Sequence, residues 1–192
     1  MRRRISVQVL AVFAVFVLMG SCETSEYAKL EKEELAKGIR YDSLFHGLKF
    51  GQTKQDFYQV CWDKNKEGVL NAGGYSNFVR YDMSDHDSLA VNDITMYFYP
   101  DFDEDDLITG MQVECQYTAW SPWNEHLTAK YLIPVIKDTL MNWYGGNSFI
   151  EMPDEDELQT IWVKVDGNRR IAIKAKSEER VQMKIVDLTV AK

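Results

Sequence analysis

Few residues in this chain have the types and spacing to support chemistry, and the densest group is Asp101-Phe102-Asp103-Glu104-Asp105-Asp106. Carboxylates at alternate positions suit a hard cation such as calcium. An EF-hand loop, however, needs Gly at its sixth position and Glu at its twelfth, where this chain has Asp106 and Gln112. The run therefore reads as a solvated acidic hairpin, and Met152-Pro153-Asp154-Glu155-Asp156-Glu157 reads the same way. His46, His86 and His126 stand in separate local settings, none with a ligand partner at helical or hairpin spacing. No serine sits in a nucleophile-elbow pattern. Cys61 and Cys115 lack the CxxC spacing of a zinc or redox site. Both fall on apolar faces, one of a helix and one of a strand, which leaves buried free thiols or a Cys61–Cys115 disulfide as the alternatives. These motifs lead us to expect no catalytic residue, no metal and no cofactor.

Cys22 carries a different chemistry. Arg2-Arg3-Arg4 precede an apolar run from Ile5 to Met19, and Gly20-Ser21 follow it, which is the layout of a secretory signal peptide. The apolar run is short for a membrane span of about 20 residues. Leu18-Met19-Gly20-Ser21-Cys22 resembles a bacterial lipobox, with Met19 where Leu is usual. The resemblance implies cleavage before Cys22, acylation of Cys22 with palmitate-type chains, and attachment to a lipid bilayer of the cell envelope. Two or more acyl chains make such attachment durable. Glu23 after Cys22 matches outer-membrane sorting under the proteobacterial pattern.

The full chain has 192 residues and a formal charge of −8, and its leader removes arginines but no acids. An acidic chain of this kind is a poor match for nucleic acid or for electrostatic adsorption to anionic lipid. Aromatic residues at 12% are spread along the sequence and point to a packed domain.

The segments expected to position these residues form two similar runs after residue 47. Residues 22–47 read as the acylated Cys and a solvated tether, since Glu31, Glu33 and Glu34 crowd like charges with little apolar stripe. In residues 48–117, Thr53 and Asp56 form a capping-box pattern ahead of Phe57, Val60 and Cys61 at helical spacing. Alternating strands are expected over 77–83, 93–99 and 108–117, with Pro100 ending the second. In residues 118–192, Trp120-Ser121-Pro122-Trp123 forms a connector and Asn124 is the expected cap of a helix carrying Leu132, Ile133, Ile136 and Leu140. Pro134 is expected to kink that helix or mark its start. Strands are expected over 160–165, 170–176 and 180–188, the first two joined by an Asp166-Gly167-Asn168 hairpin. The fold class is α+β: tandem αβββ units, each a helix packed on an antiparallel sheet.

Phe50-Gly51-Gln52-Thr53-Lys54 resembles the opening of units in the β-lactamase-inhibitor-protein-like group. Arg40–Phe45, Cys61-Trp62, Asn92–Pro100, Ala119–Asn124, Trp143–Gly146 and Val163–Arg170 resemble an uncharacterised family of Bacteroidetes lipoproteins. The first resemblance implies the fold and the second the envelope location; neither implies an activity.

Alternation predicts that the uncovered sheet face carries Arg80, Tyr97, Tyr99 and Glu114 from the first unit. From the second unit it is expected to carry Trp162, Lys164, Arg170, Lys174 and Lys184, a locally basic set. Tyr, Trp and Arg dominate binding hot spots. The expected function is therefore a non-enzymatic, membrane-anchored interaction module that binds an envelope protein or glycan partner. A small envelope hydrolase built on His86 or His126 with an acid, or an immunity-type inhibitor of a toxin, are the alternatives.

Overall fold

The computed structural model describes residues 25–74, 77–83, 93–153 and 160–190. Cys22, His86 and the acids 154–157 lie outside the described residues. Among those described are three helices and one antiparallel sheet of eight strands. The helices are α1 (Glu26–Ala36), α2 (Lys54–Lys66) and α3 (Ala129–Tyr144). The strands are β1 (Leu70–Ala72), β2 (Val79–Met83), β3 (Ile94–Phe102), β4 (Ile108–Tyr117), β5 (Ile150–Pro153), β6 (Thr160–Asp166), β7 (Arg169–Ala175) and β8 (Arg180–Asp187). None of these helices is long and apolar enough to cross a membrane.

The strand order is β1-β2-β3-β4-β8-β7-β6-β5. Each half is a helix followed by a four-stranded meander, and β4 pairs with β8 to fuse the halves into one sheet. Each half thus gains a short strand that alternation alone did not reveal, because β1 and β5 are too brief to show a period.

Local chemistry explains the ends of the elements. The Thr53–Asp56 capping box forms, with both reciprocal bonds in place. α3 begins at Ala129, five residues past the expected cap Asn124. Asn124 instead closes the connector turn, its backbone N–H donating to the Ser121 carbonyl and its side-chain amide to the Ala119 carbonyl. α3 continues through Pro134. β3 likewise runs past Pro100 to Phe102. Its pairing with β2 stops at Phe98, so at Pro100 it is an edge on that side and no ladder donor is missed.

Register divides the sheet residues cleanly between two faces. Phe98, Val113, Met183 and Ile173 are paired in sequence across β3, β4, β8 and β7, and all are buried in the main core. Leu132, Ile133, Ile136 and Leu140 of α3 bury against this face. α2 runs beside β1 and sets Phe57 edge-on to the Tyr99 and Phe102 rings.

α1 overturns the expectation of a solvated tether. It packs on β6, with Tyr27 accepting a 2.7 Å hydrogen bond from Arg170. Its Glu34 is buried and accepts from the backbone N–H of Gly167 at 2.9 Å. A helix with a weak apolar stripe is thus held by polar contacts. The chain after it presses on the β6–β7 turn so closely that a Cβ at Gly167 would strike the Ile39 carbonyl oxygen, and Gly167 adopts φ +53°.

Candidate functional site

On the face away from α3, one register row crosses the middle of the sheet. Arg80 pairs with Tyr97, Tyr97 with Glu114, Glu114 with Gln182, and Gln182 with Lys174. Four of the residues expected on the uncovered face are therefore brought into line across five strands. All five members of the row are partly exposed. Lys184 lies in the next row, paired with Gln112, and is exposed. A row of mixed polar groups and one phenol ring can meet another protein surface through hydrogen bonds and aromatic contact.

The face is not basic on one side and acidic on the other. Lys176 and Arg180 both reach the Glu114 carboxylate, Arg180 at 3.5 Å. Lys184 lies 3.7 Å from Asp101, and Arg80 2.9 Å from Asp82. The basic residues of the second half thus neutralise acids of the first across the β4–β8 seam. Sequence could not show this, because the two halves were expected to carry separate sheets.

Four expected members lie elsewhere. Lys164 is 0% exposed and sits on the core face, where Trp162 also lies. Trp162 packs against the core under Lys137, whose Nζ is 5.3 Å from the ring centroid. The inversion arises because both faces of β6 are covered. Val163 and Val165 face α1, so their apolar character no longer identifies the core side. Arg170 is held under α1 by Tyr27, with Glu31 3.8 Å away. Tyr99 is ringed by Phe57, Phe78 and Phe102, and its hydroxyl lies 3.3 Å from that of Tyr58. That hydrogen bond, together with burial, pushes the Tyr99 phenol up to about 12.

Lys164 belongs instead to a buried ionic cluster that sequence reasoning missed. Its ammonium is 2.7 Å from Asp166 and donates at 2.5 Å to the Asn147 carbonyl. Asp166 accepts from the Asn147 N–H at 2.8 Å, and the Asn147 side chain donates to Glu34 at 2.6 Å. Arg169, also buried, lies 4.0 Å over the Tyr144 ring and donates to the Ser43 carbonyl at 2.9 Å. Burial lowers the Arg169 guanidinium from its ordinary value, against the opposing pull of Tyr144 and Asp166. Burial would raise Glu34, but bonds from Gly167, Lys37 and Asn147 outweigh it and leave its carboxyl below the usual range. The cluster ties α1, the β6–β7 turn and the segment after α3 together, while the buried Arg169 Nε within it makes no hydrogen bond.

The remaining candidates resolve simply. Asp103 accepts from the N–H groups of Asp105 and Leu107, and Asp106 lies 3.4 Å from Lys54, so these acids shape and brace the β3–β4 turn. Among the described residues no group of His, Cys, Asp and Glu is arranged to hold a metal. Cys61 and Cys115 are both free thiols, so the disulfide alternative is not formed. Burial pushes each thiol up to about 12, which keeps them protonated. His126 is exposed beside Tyr131, and His46 is half-buried on the core side.

No family model, curated protein or solved structure matches the chain.

Proposed function

We propose that the protein is an acylated lipoprotein of the cell envelope that binds a partner protein through the open face of its sheet. The observation that carries this reading is the Arg80–Tyr97–Glu114–Gln182–Lys174 row, which spans both halves on a face that α3 leaves uncovered. On this reading the two helix-plus-strand halves are tandem units of the β-lactamase-inhibitor-protein-like type, each with one more strand than expected. Their fusion through β4 and β8 turns two small faces into one wide enough to serve as an interface. Acylation of Cys22 would bring that face to partners in or near the membrane, and α1 would begin a few residues beyond the anchor. Trp162, Lys164 and Arg170 drop out of the binding set. Tyr99 supports the face from within its aromatic cluster, and Lys184 extends it.

A photo-cross-linker placed at Tyr97 in the full chain, within intact envelopes, tests this reading. It should give a discrete adduct that the same probe at the exposed Trp123 does not. Arg80→Ala combined with Lys174→Ala should reduce the adduct about tenfold, the loss of about 1.4 kcal/mol of binding. Equal labelling from both probe positions would sink the assignment. Replacing Cys22 with Ala should abolish palmitate incorporation and release the protein from the membrane fraction.

A further inference from the structure

The eight-stranded sheet ends at β1, which among the described residues pairs with β2 alone. Backbone groups along an antiparallel strand turn alternately toward its partner and away from it. The Gly73 N–H donates to the carbonyl of Phe78, the residue before β2, so Asn71 is turned toward β2 as well and Leu70 and Ala72 are turned outward. The Leu70 carbonyl accordingly accepts from the Asn65 side chain of α2 at 2.7 Å. Beyond that capped carbonyl, the exposed Ala72 presents its N–H and C=O to the outside of the sheet. A strand edge of this kind is a template for another strand. Between the edge and α2 lies a cleft of about 360 Å³, walled by Tyr58, Cys61 and Trp62 of the helix and by Leu70, Ala72 and Val79 of the sheet. No charged side chain lines it. Trp62 is 59% exposed and Tyr58 52%, the residue types on which binding energy concentrates.

We infer that this edge takes up an extended segment of a partner polypeptide as a ninth strand, with one uncharged, apolar side chain lodged in the cleft. The inference rests on the open-face reading in taking the partner to be a protein, and it adds the form in which that partner binds. The incoming residue opposite Ala72 exchanges two main-chain hydrogen bonds with it. Ala72 pairs with Val79 and Val79 with Phe98 of the main core, so the incoming side chain falls on the core side, where the cleft is. The volume suits one side chain of leucine or phenylalanine size. The two neighbouring side chains fall on the other face, beside Asn71. Asn71 pairs with Arg80 and so carries the open-face row out to this edge. The partner strand thus reads as apolar at the central position and polar on either side. A second copy of β1 cannot supply that apolar group, because its exposed residues are Asn71 and Ala72 and its Leu70 is buried in its own core.

The test is fluorescence anisotropy of a fluorescein-labelled peptide of alternating threonine and leucine, titrated with the full chain. Saturable binding is expected, and it should survive N-methylation of the threonine amides but fall at least tenfold on N-methylation of the leucine amides, which face Ala72. Ala72→Pro removes the outward N–H and takes nothing from the ladder with β2, and should weaken the peptide about tenfold. Trp62→Ala should do the same and Trp62→Phe should restore most of the affinity, with folding of each variant checked by circular dichroism. The inference is overturned if the peptide does not saturate, if both N-methylated forms bind alike, or if Ala72→Pro binds as well as the parent. It is also overturned if the chain self-associates and Ala72→Pro abolishes that association, which would give the edge to a second copy. Failure of the peptide to bind leaves the Tyr97 adduct in place, whereas loss of the adduct with the peptide still bound removes only the open-face reading.

Discussion

The centre of the open sheet face and the corner beneath α1 both hold charged residues at strand spacing, yet those charges behave differently. On the open face, Glu114, Lys176, Arg180, Asp101 and Lys184 pair across strands in contact with water. Pairs of this kind contribute about 0–1 kcal/mol each, and a partner surface can replace them at little cost. In the corner, Lys164, Asp166, Arg169 and Glu34 are removed from water and hold one another in place. Their desolvation is nearly offset by their mutual attraction, so the cluster adds little net stability but makes each member hard to remove. One charge pattern therefore supplies an exchangeable surface in one place and a lock in the other.

The sharpest way to break the comparison is Asp166→Ala. It would leave the Lys164 ammonium buried with only the Asn147 carbonyl, and should destabilise the protein by about 3–5 kcal/mol in urea unfolding. A loss below about 1 kcal/mol would place the corner in the same class as the open face. Glu34→Ala ranks next, at about 1–3 kcal/mol, because the Gly167 N–H and the Asn147 amide would lose their acceptor. Its distinguishing readout is local: amide exchange should accelerate across α1 and the β6–β7 turn while β3 and β4 stay protected.

Acid should reveal the same asymmetry. The folded Glu34 carboxyl lies below its ordinary value of 4.5, so its stabilising contribution is fully present above that value and is lost as the pH falls through the lower, folded one. Asp187, which accepts from Thr189 and pairs with Arg40 near the same turn, is also lowered and acts in the same direction. Protection of α1 should therefore fall below pH 4.5 before that of the central strands. Simultaneous loss in both regions would show that the corner is not the acid-sensitive part.

This asymmetry also marks how far the sequence could be read. The period-2 pattern of β3 and β4 was legible because one face is packed and the other wet, and α2 was legible from the Thr53–Asp56 capping pair followed by Phe57, Val60 and Cys61 at helical spacing. β6 was misread because Val163 and Val165 are buried beneath α1 while Trp162 and Lys164 are buried on the core side, so alternation kept its period but lost its meaning. Glu34 was misjudged for a related reason. A glutamate among like charges looks solvated until a turn 133 residues away offers it a backbone N–H. The open row needed the β4–β8 pairing, a long-range fact that local patterns do not carry. Arg80, Tyr97, Glu114 and Lys174 were identifiable one by one, but their alignment was not.

The smallest predicted effect concerns Glu114→Gln on the open face. It removes the acceptor charge for both Lys176 and Arg180 but leaves an amide oxygen in nearly the same place, on a surface where water competes for every donor. Stability should change by less than about 1 kcal/mol, and the change should shrink further as salt rises. Cross-linking from Tyr97 should respond more than stability does, because Glu114 is its register partner and its charge helps orient a docking surface. A variant that unfolds readily yet still cross-links at full yield would reverse the assignment, making Glu114 part of the scaffold and leaving the open face without its central acid.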